Sequence, residues 1–237
     1  MPIPSDLILD LDDTILDYTS TGEAVWKRLF REFAPRMDLP LERLQQTVDA
    51  SRAWYWSDPD RFREGRLDLK KARRLLIRDA FTKLGRTDWE TADELADAFT
   101  RDREIAVQPF GGAIDALTRF RQSGAHMVLL TNGESSLQRA KIERFRLAEF
   151  FESILIESET GIGKPDPRAH RAALAALGAE PCSAWMIGDD WECDIAPAKS
   201  LEMRAAWIHA ESGAAGRPAD LTAPSLRKLA DYWNTAG

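Results

Sequence analysis

A short apolar segment that ends abruptly in carboxylates constrains this chain more than any other stretch. Leu7, Ile8 and Leu9 are continuously apolar, as in a parallel strand that helices cover on both faces. The acidic segment from Asp10 to Thr14 follows at once. Because open α/β sheets bind their ligands outside the carboxyl ends of the strands, the pattern predicts a buried strand that leads into a functional site.

The spacing of the first two carboxylates indicates what such a site binds. Asp10 and Asp12 can both face the crevice with Leu11 turned away between them, because successive strand side chains alternate. Two carboxylates this close repel each other and need a cation or a shared proton. Mg²⁺ is the expected cation, since it is hard and prefers oxygen ligands. The same residue types also form turns and helix N-caps, so this segment alone leaves a purely structural role open.

Length and composition exclude several classes of protein. The chain has 237 residues, of which 44% are hydrophobic and 30% charged, which suits one large α/β domain or a domain with a substantial insertion. The formal net charge of −7 argues against nucleic acid as a partner, because such proteins gather Lys and Arg into a basic surface. Small phosphorylated molecules remain possible partners.

The sequence predicts a cytoplasmic protein with no membrane association. No apolar stretch approaches the length needed to span a bilayer, and the segment 1–6 lacks the basic region of a signal peptide. Cys182 and Cys193 are the only cysteines, and their number and spacing fit a reducing compartment. We interpret both cysteines as structural.

A helical insertion of about ninety residues is expected after Thr14, because apolar residues recur there at helical spacing. The pattern predicts four helices, over about 21–33, from 41 to the turn at Ser57, 69–84 and 88–105, which can pack as a small bundle. The segment 60–66 is expected to be a loop. Its arginines, Arg61, Arg63 and Arg66, either contact an anionic substrate or are solvated surface residues.

Strands and helices alternate again from Pro109 onward, which indicates a parallel sheet with right-handed crossovers. Apolar strands are expected over 126–130, 154–156, 184–187 and 205–208. Three predicted strands end in polar residues, and a lysine-containing loop lies between the last two of these in sequence. These polar residues are Asp10 and Asp12, Thr131 and Asn132, Asp189 and Asp190, and Lys164. Since parallel strands bring their carboxyl ends together, the residues are expected to form one site.

On these residues the chain resembles the haloacid dehalogenase (HAD) superfamily, whose four motifs occur here in order. They are DLDDT from Asp10 to Thr14, Thr131 after an apolar strand, Lys164 in GKPDP, and GDDWECD from Gly188 to Asp194. The resemblance implies an α/β fold, a doubly wound and mostly parallel Rossmann-like core formed by residues 1–16 and 108–237. It also implies a smaller α-helical cap domain, residues 17–107, inserted between the first and second motifs.

The resemblance implies a role for each matching residue. Asp10 is the nucleophile that becomes an aspartyl-phosphate, and Asp12 is the general acid and base. Thr131 and Asn132 bind phosphoryl oxygens, and Lys164 offsets negative charge on the phosphoryl group. The cofactor is Mg²⁺, held by Asp10, the backbone carbonyl of Asp12 and Asp189. The supporting residues are Thr14, Asp190 and Asp194; Asp190 departs from the commoner Ser or Thr of the family.

Asp12 indicates which activity of the superfamily to expect. Dehalogenases of this fold characteristically lack the second acid, because halide leaves without a proton. The expected function is therefore Mg²⁺-dependent hydrolysis of a small metabolite's phosphate monoester, such as a nucleotide, a sugar phosphate or a phosphoglycolate-like compound. A phosphomutase and a 2-haloacid dehalogenase-like hydrolase are alternatives within the fold, and a non-catalytic phosphoacceptor or binding protein is one outside enzymes. The protein is expected to be a monomer or a homodimer.

Overall fold

The computed structural model describes residues 1–209 and 219–234, and the chain forms two compact units. The first unit combines residues 1–17 with the chain from Gln108 onward, and the second unit is Tyr18–Val107. The division falls after Asp17, one residue later than the boundary expected from the sequence.

The first unit contains a six-stranded sheet and a small ribbon of two strands. The strands are β1 (Asp6–Leu9), β2 (Leu16–Asp17), β3 (Gln108–Pro109), β4 (His126–Thr131), β5 (Ser153–Ile156), β6 (Ala184–Gly188), β7 (Arg204–Ile208) and β8 (Leu221–Ala223). The large sheet has the order β5-β4-β1-β6-β7-β8, and each of its pairings is parallel. Strands β2 and β3 pair antiparallel, where the chain leaves and re-enters the first unit.

Helices flank the sheet in the first unit and make up the second. Those of the second unit are α1 (Thr19–Arg36), α2 (Leu41–Trp56), α3 (Pro59–Gly65), α4 (Leu69–Lys83) and α5 (Trp89–Ala106). Those of the first unit are α6 (Ala113–Gln122), α7 (Ser135–Arg144), α8 (Glu157–Thr160), α9 (Pro167–Leu177), α10 (Ala196–Ser200) and α11 (Leu226–Asn234). None of the helices in the described part of the chain is both long and apolar enough to cross a membrane.

Apolar side chains bury both faces of the sheet. Ile8 of β1 packs in a cluster with Ala173 of α9 and Ala198 of α10. On β6, the Trp185 ring lies edge-on to Trp233 of α11, with ring centroids 5.4 Å apart. Since neighbouring strand residues face opposite sides, a continuous apolar run is what such a strand requires. The predicted doubly wound, mostly parallel α/β fold is confirmed.

Strand β1 lies in the interior of the sheet, between β4 and β6. Leu9 is in register with Leu129 on one side and Ile187 on the other. The polar segments after these three strands therefore emerge next to one another. The strand β8 was missed by the sequence analysis, because its three residues, Leu221–Ala223, include only one buried apolar side chain.

The second unit has its own buried core, to which helices α1, α2, α4 and α5 contribute. The prediction that 60–66 is a loop is wrong, because most of the segment belongs to helix α3. Asp58 caps this helix, its Oδ1 accepting a hydrogen bond from the Arg61 backbone N–H at 2.8 Å, and Pro59 stands at its start, where proline is favoured. Helix α1 also continues past its expected end, because Pro35 lies in its last turn, where few hydrogen bonds are lost.

Candidate active site

Asp10 is held at the end of the central strand. Its backbone N–H donates a hydrogen bond of 2.9 Å to the carbonyl of Ile187, so the backbone pairing between β1 and β6 continues to Asp10 itself. The chain then turns sharply through Asp13, whose φ of 61° lies in the left-handed region. Asp10 is 7% exposed, so its carboxylate is one of few buried acids in the described chain.

Lys164 links two buried carboxylates. Its Nζ lies 2.6 Å from Oδ1 of Asp10 and 2.6 Å from Oδ1 of Asp194. Asp194 comes from a π-helical turn, Trp191–Ile195, that follows β6. A Cβ atom at Gly188 would overlap the Asp194 side chain, so only glycine permits this close approach. The lysine side chain is 3% exposed, which places three charged groups together away from solvent.

A third carboxylate leaves this cluster short of positive charge. Asp10, Asp189 and Asp194 each offer an oxygen, and the three oxygens lie within 4.8 Å of one another. Thr14 donates a hydrogen bond of 3.3 Å from its hydroxyl to Oδ1 of Asp189, and the Trp207 indole N–H donates one of 2.7 Å to the Asp189 carbonyl. Three carboxylate oxygens this close together are a donor set that suits Mg²⁺.

The pKa values show the same excess of negative charge. The pKa of Asp10 is raised to about 7, because burial, together with the nearby Asp194 and Asp12 carboxylates, outweighs the opposing effect of Lys164. Burial and the charges of Asp10 and Asp194 raise the pKa of Asp189 to about 8. Burial disfavours the Lys164 ammonium, but the two carboxylates outweigh this effect and raise its pKa. A divalent cation would stabilise the ionised carboxylates.

Asp12 has its own cationic partner, outside this cluster. Its two carboxylate oxygens accept hydrogen bonds from the Lys141 ammonium at 2.7 and 2.6 Å. Gln138 donates from Nε2 to Asp12 Oδ2 at 3.1 Å and to the Thr131 hydroxyl at 2.6 Å. Lys141 and Gln138 lie three residues apart on α7, so they occupy the same helix face. Asp12 is therefore fixed in direction by two buried side chains.

Asn132 ties the end of β4 to the lysine loop. Its side-chain Nδ2 donates a hydrogen bond of 2.7 Å to the Lys164 carbonyl, and its side-chain Oδ1 accepts one of 2.8 Å from the Lys164 backbone N–H. Gly133, the next residue, donates its N–H to Oε2 of the buried Glu157 at 3.1 Å. This reciprocal pair holds the loop so that the lysine side chain reaches Asp10.

The residues expected at the site are thus brought to one edge of the sheet, with two differences in detail. Asp194, expected as a supporting residue, contributes an oxygen to the carboxylate cluster itself. Asp190 instead caps the π-helical turn, its Oδ1 accepting hydrogen bonds from the backbone N–H groups of Glu192 and Cys193 at 2.8 and 2.9 Å. Asp12 contributes no side-chain oxygen to the cluster, and its backbone carbonyl stays a predicted ligand.

Three buried polar residues of the site were missed by the sequence analysis: Gln138, Lys141 and Glu157. The available signal was weak. Gln138 and Lys141 share a face with the apolar Ile142 in a helix of mostly polar sequence, a pattern that also describes an ordinary surface helix. Glu157 follows β5 directly, at the same edge as the other strand ends.

Comparisons with known proteins agree with this geometry. The model of the haloacid dehalogenase-like hydrolase family matches residues 7–201. A phosphoserine phosphatase from Thermus thermophilus is 35% identical over 232 residues, which cover 85% of this chain and 87% of that protein.

Solved structures of similar fold cover nearly the whole chain. The HAD hydrolase YfnB from Bacillus subtilis, solved with magnesium bound, matches with a TM-score of 0.74 and 20% identity over 98% of this chain and 99% of its own. A 2-haloacid dehalogenase from Pseudomonas syringae matches with a TM-score of 0.62 and 27% identity over 95% and 96% of the two chains. The chain therefore belongs to the haloacid dehalogenase-like hydrolases, as a hydrolase of the phosphatase type.

Proposed function

We propose that this protein is a Mg²⁺-dependent phosphohydrolase that cleaves a small phosphate monoester through an aspartyl-phosphate on Asp10. The observation that carries the proposal is the contact of Lys164 Nζ with Asp10 at 2.6 Å inside a three-carboxylate cluster. A nucleophilic carboxylate beside a fixed cation is what transfer of a negatively charged phosphoryl group requires. The second unit, Tyr18–Val107, is proposed to be the cap domain.

In the first step, a carboxylate oxygen of Asp10 attacks phosphorus and the bond from phosphorus to the leaving oxygen breaks. Asp12 donates a proton to that oxygen, so the leaving group departs as an alcohol. Thr131 and Asn132 are proposed to hold the phosphoryl oxygens, and Lys164 offsets their charge. Mg²⁺, held by Asp10, Asp189 and Asp194 with the Asp12 carbonyl, would add further positive charge at the phosphoryl group when bound.

In the second step, water attacks the phosphorus of the aspartyl-phosphate. Asp12 accepts a proton from this water, inorganic phosphate leaves, and the Asp10 carboxylate is restored. A single residue can serve both steps because it is protonated in the first and deprotonated in the second. Thr14 and Asp190 support this arrangement, Thr14 through Asp189 and Asp190 through the turn that carries Asp194.

A 2-haloacid dehalogenase activity is the second candidate, since several solved structures of similar fold carry that name. Asp12 argues against it. A displaced halide needs no proton, yet this chain holds a second acid in place with Lys141 and Gln138. Phosphate monoester hydrolysis gives that acid a task in each step.

The test uses 4-nitrophenyl phosphate and the purified full chain. We expect hydrolysis with Mg²⁺, its loss on chelation, and its return when Mg²⁺ is added again. Replacing Asp10→Asn should lower kcat by about 10⁴-fold or more, because the amide nearly preserves shape but does not attack phosphorus. The matched control is Asp166→Asn, at a helix cap outside the cluster where asparagine serves as well as aspartate.

Full activity in a folded Asp10→Asn variant would refute the assignment of the nucleophile. Rates that survive exhaustive chelation, together with turnover of 2-chloropropionate, would favour the dehalogenase. Circular dichroism of each variant verifies that a loss of rate is not a loss of fold.

The native substrate is proposed to be a small phosphorylated metabolite, and phosphoserine is the first compound to assay because one relative acts on it by name. The protein is proposed to act in the cytoplasm, which agrees with Cys182 and Cys193 both being free thiols. Sedimentation analysis would distinguish the monomer from the homodimer.

A further inference from the structure

The second unit contains a cavity of about 390 Å³ within its own helices, here named the arginine cavity. This volume lies in the range of small-ligand sites. Four arginines line it: Arg52, Arg66, Arg73 and Arg103. Its other lining residues include five aromatic side chains and no acidic one. The wall thus combines cationic groups with flat apolar surfaces.

Arg73 is the residue that makes this cavity unusual. It is 2% exposed and lies on α4. Its Nη2 donates a hydrogen bond of 3.1 Å to the Tyr18 hydroxyl, while its Nη1 has no hydrogen-bond partner. Among the residues that the structure describes, no carboxylate forms an ion pair with it. A buried guanidinium with an unused donor is costly, and an anionic ligand would remove that cost.

Aromatic rings pack around this guanidinium and define the second part of the ligand. The Arg73 Cζ lies 5.1 Å from the centroid of the Phe99 ring, and Phe99 stacks on Trp26 with centroids 3.8 Å apart. The quadrupole of such rings stabilises a cation without neutralising it. Phe62 also lines the cavity and is 39% exposed, so its ring is available to a planar apolar group.

The three arginines that the sequence analysis considered as substrate contacts, Arg61, Arg63 and Arg66, differ from Arg73 in their surroundings. Arg61 donates hydrogen bonds to the carbonyls of Trp54 and Tyr55 at 2.7 and 3.2 Å, and Arg63 pairs with Asp60 at 2.7 Å. Of the three, Arg66 alone lines the arginine cavity. Arg52, in contrast, already pairs with Glu23 and Asp49. Arg73, which sequence reasoning did not single out, is the group with unmet binding capacity.

We propose that the arginine cavity binds an organic anion, a carboxylate or phosphate carried by a planar apolar group, with Arg73 contacting the anionic oxygens. Binding requires no turnover, so the proposal goes beyond the proposed function. Two sources share this chemistry: the leaving group of the substrate and a separate ligand. If the anion is part of the substrate, the inference rests on the proposed function.

The probe is 2-naphthoate, with 2-naphthamide as its neutral counterpart. Titrations follow tryptophan emission, since Trp26 and Trp56 line the cavity, and calorimetry supplies an independent affinity. We expect saturable binding of the naphthoate, about 10- to 100-fold tighter than the amide, which is the usual effect of a charged hydrogen bond. Asp10→Asn should bind it equally well, so a failed catalytic assignment would leave this result intact.

Arg73→Met should weaken naphthoate binding about 10- to 100-fold and leave naphthamide binding unchanged. The matched control is Arg78→Met, on the same helix, because Arg78 pairs with Asp93 and does not line the cavity. If Arg73→Met does not fold, Arg66→Met, at a half-buried residue that also lines the cavity, replaces it. Absent saturable binding, equal affinity for acid and amide, or equal effects of Arg73→Met and Arg78→Met would each overturn the proposal.

Kinetics distinguish the two sources of the anion. If it belongs to the substrate, 4-carboxyphenyl phosphate should have a lower KM than phenyl phosphate, and Arg73→Met should remove the difference. If it is a separate ligand, both esters should have the same KM, while 2-naphthoate binds without competing with either. Competition with both esters at equal KM would instead place the naphthoate at the carboxylate cluster and overturn the proposal.

Discussion

Replacing Lys164→Met should destabilise the first unit strongly in the absence of divalent cations. Lys164 contacts Asp10 and Asp194 at 2.6 Å each, and all three side chains are at most 9% exposed. Removing one partner of such a buried pair typically costs about 3–5 kcal/mol, because the remaining charges lose their compensation. For a chain of this size that corresponds to a fall in Tm of roughly 6–20 °C.

The assay is thermal unfolding followed by circular dichroism, with and without Mg²⁺. We expect Mg²⁺ to raise the Tm of Lys164→Met more than that of the parent, since a cation among Asp10, Asp189 and Asp194 would replace part of the missing charge. The control is Lys199→Met. Lys199 pairs with Asp220 at a similar 2.7 Å, but both side chains are about one third exposed, so the expected cost is about 0–1 kcal/mol. Equal losses in the two lysine variants would refute the reasoning from burial.

Two further predictions concern buried groups near the site. Lys141→Met should lower kcat about 10- to 100-fold for alkyl phosphates and much less for 4-nitrophenyl phosphate. The reason is that a misdirected Asp12 matters most when the leaving group needs a proton. Equal losses of kcat on both esters would contradict the role of Lys141 in orienting Asp12. Burial, aided by the charge of Lys164, lowers the pKa of His170 to about 4, so the folded protein favours neutral histidine and loses stability as pH falls from about 6.5 to 4. His170→Gln should reduce the loss in unfolding free energy between pH 7 and 4.5 by about 2–3 kcal/mol, measured by urea denaturation; an unchanged loss would show that His170 is not responsible.

The sequence was sufficient to predict the main strands of the sheet and the residues at their ends, because both follow from local patterns. Leu7 to Leu9 form a continuous apolar run, and the polar residues that follow stand in the order of known motifs. In a parallel sheet, the carboxyl ends of all strands lie at the same edge of the sheet. The arrangement of Asp10, Lys164 and Asp189 therefore required no knowledge of distant contacts beyond the topology.

The partners of Asp12 could not be predicted in this way. Lys141 and Gln138 contact it across 129 and 126 residues of sequence, and their positions depend on how α7 rotates about its axis against the sheet. Arg73 was hidden for a similar reason. An arginine in an amphipathic helix normally reaches solvent, and only the packing of α4 against its neighbours buries Arg73.

The position of β1 in the interior of the sheet has a consequence for how the chain is made. Leu9 pairs with Leu129 and Ile187, so this strand has neighbours that are synthesised about 120 and 180 residues after it. At typical rates of 5–20 residues per second, the apolar strand waits roughly 6–24 s for its first partner. The helical unit, Tyr18–Val107, is complete before then and has its own core.

Nascent chains stalled once residue 107 has emerged from the ribosome should therefore contain a folded helical unit next to an unpaired, aggregation-prone strand. The edge of the sheet that carries the candidate site is among the last parts to form during synthesis, because Asp10 gains its β6 neighbour Ile187 only then. A chaperone that binds short apolar segments would find a target in the strand that contains Leu7, Ile8 and Leu9.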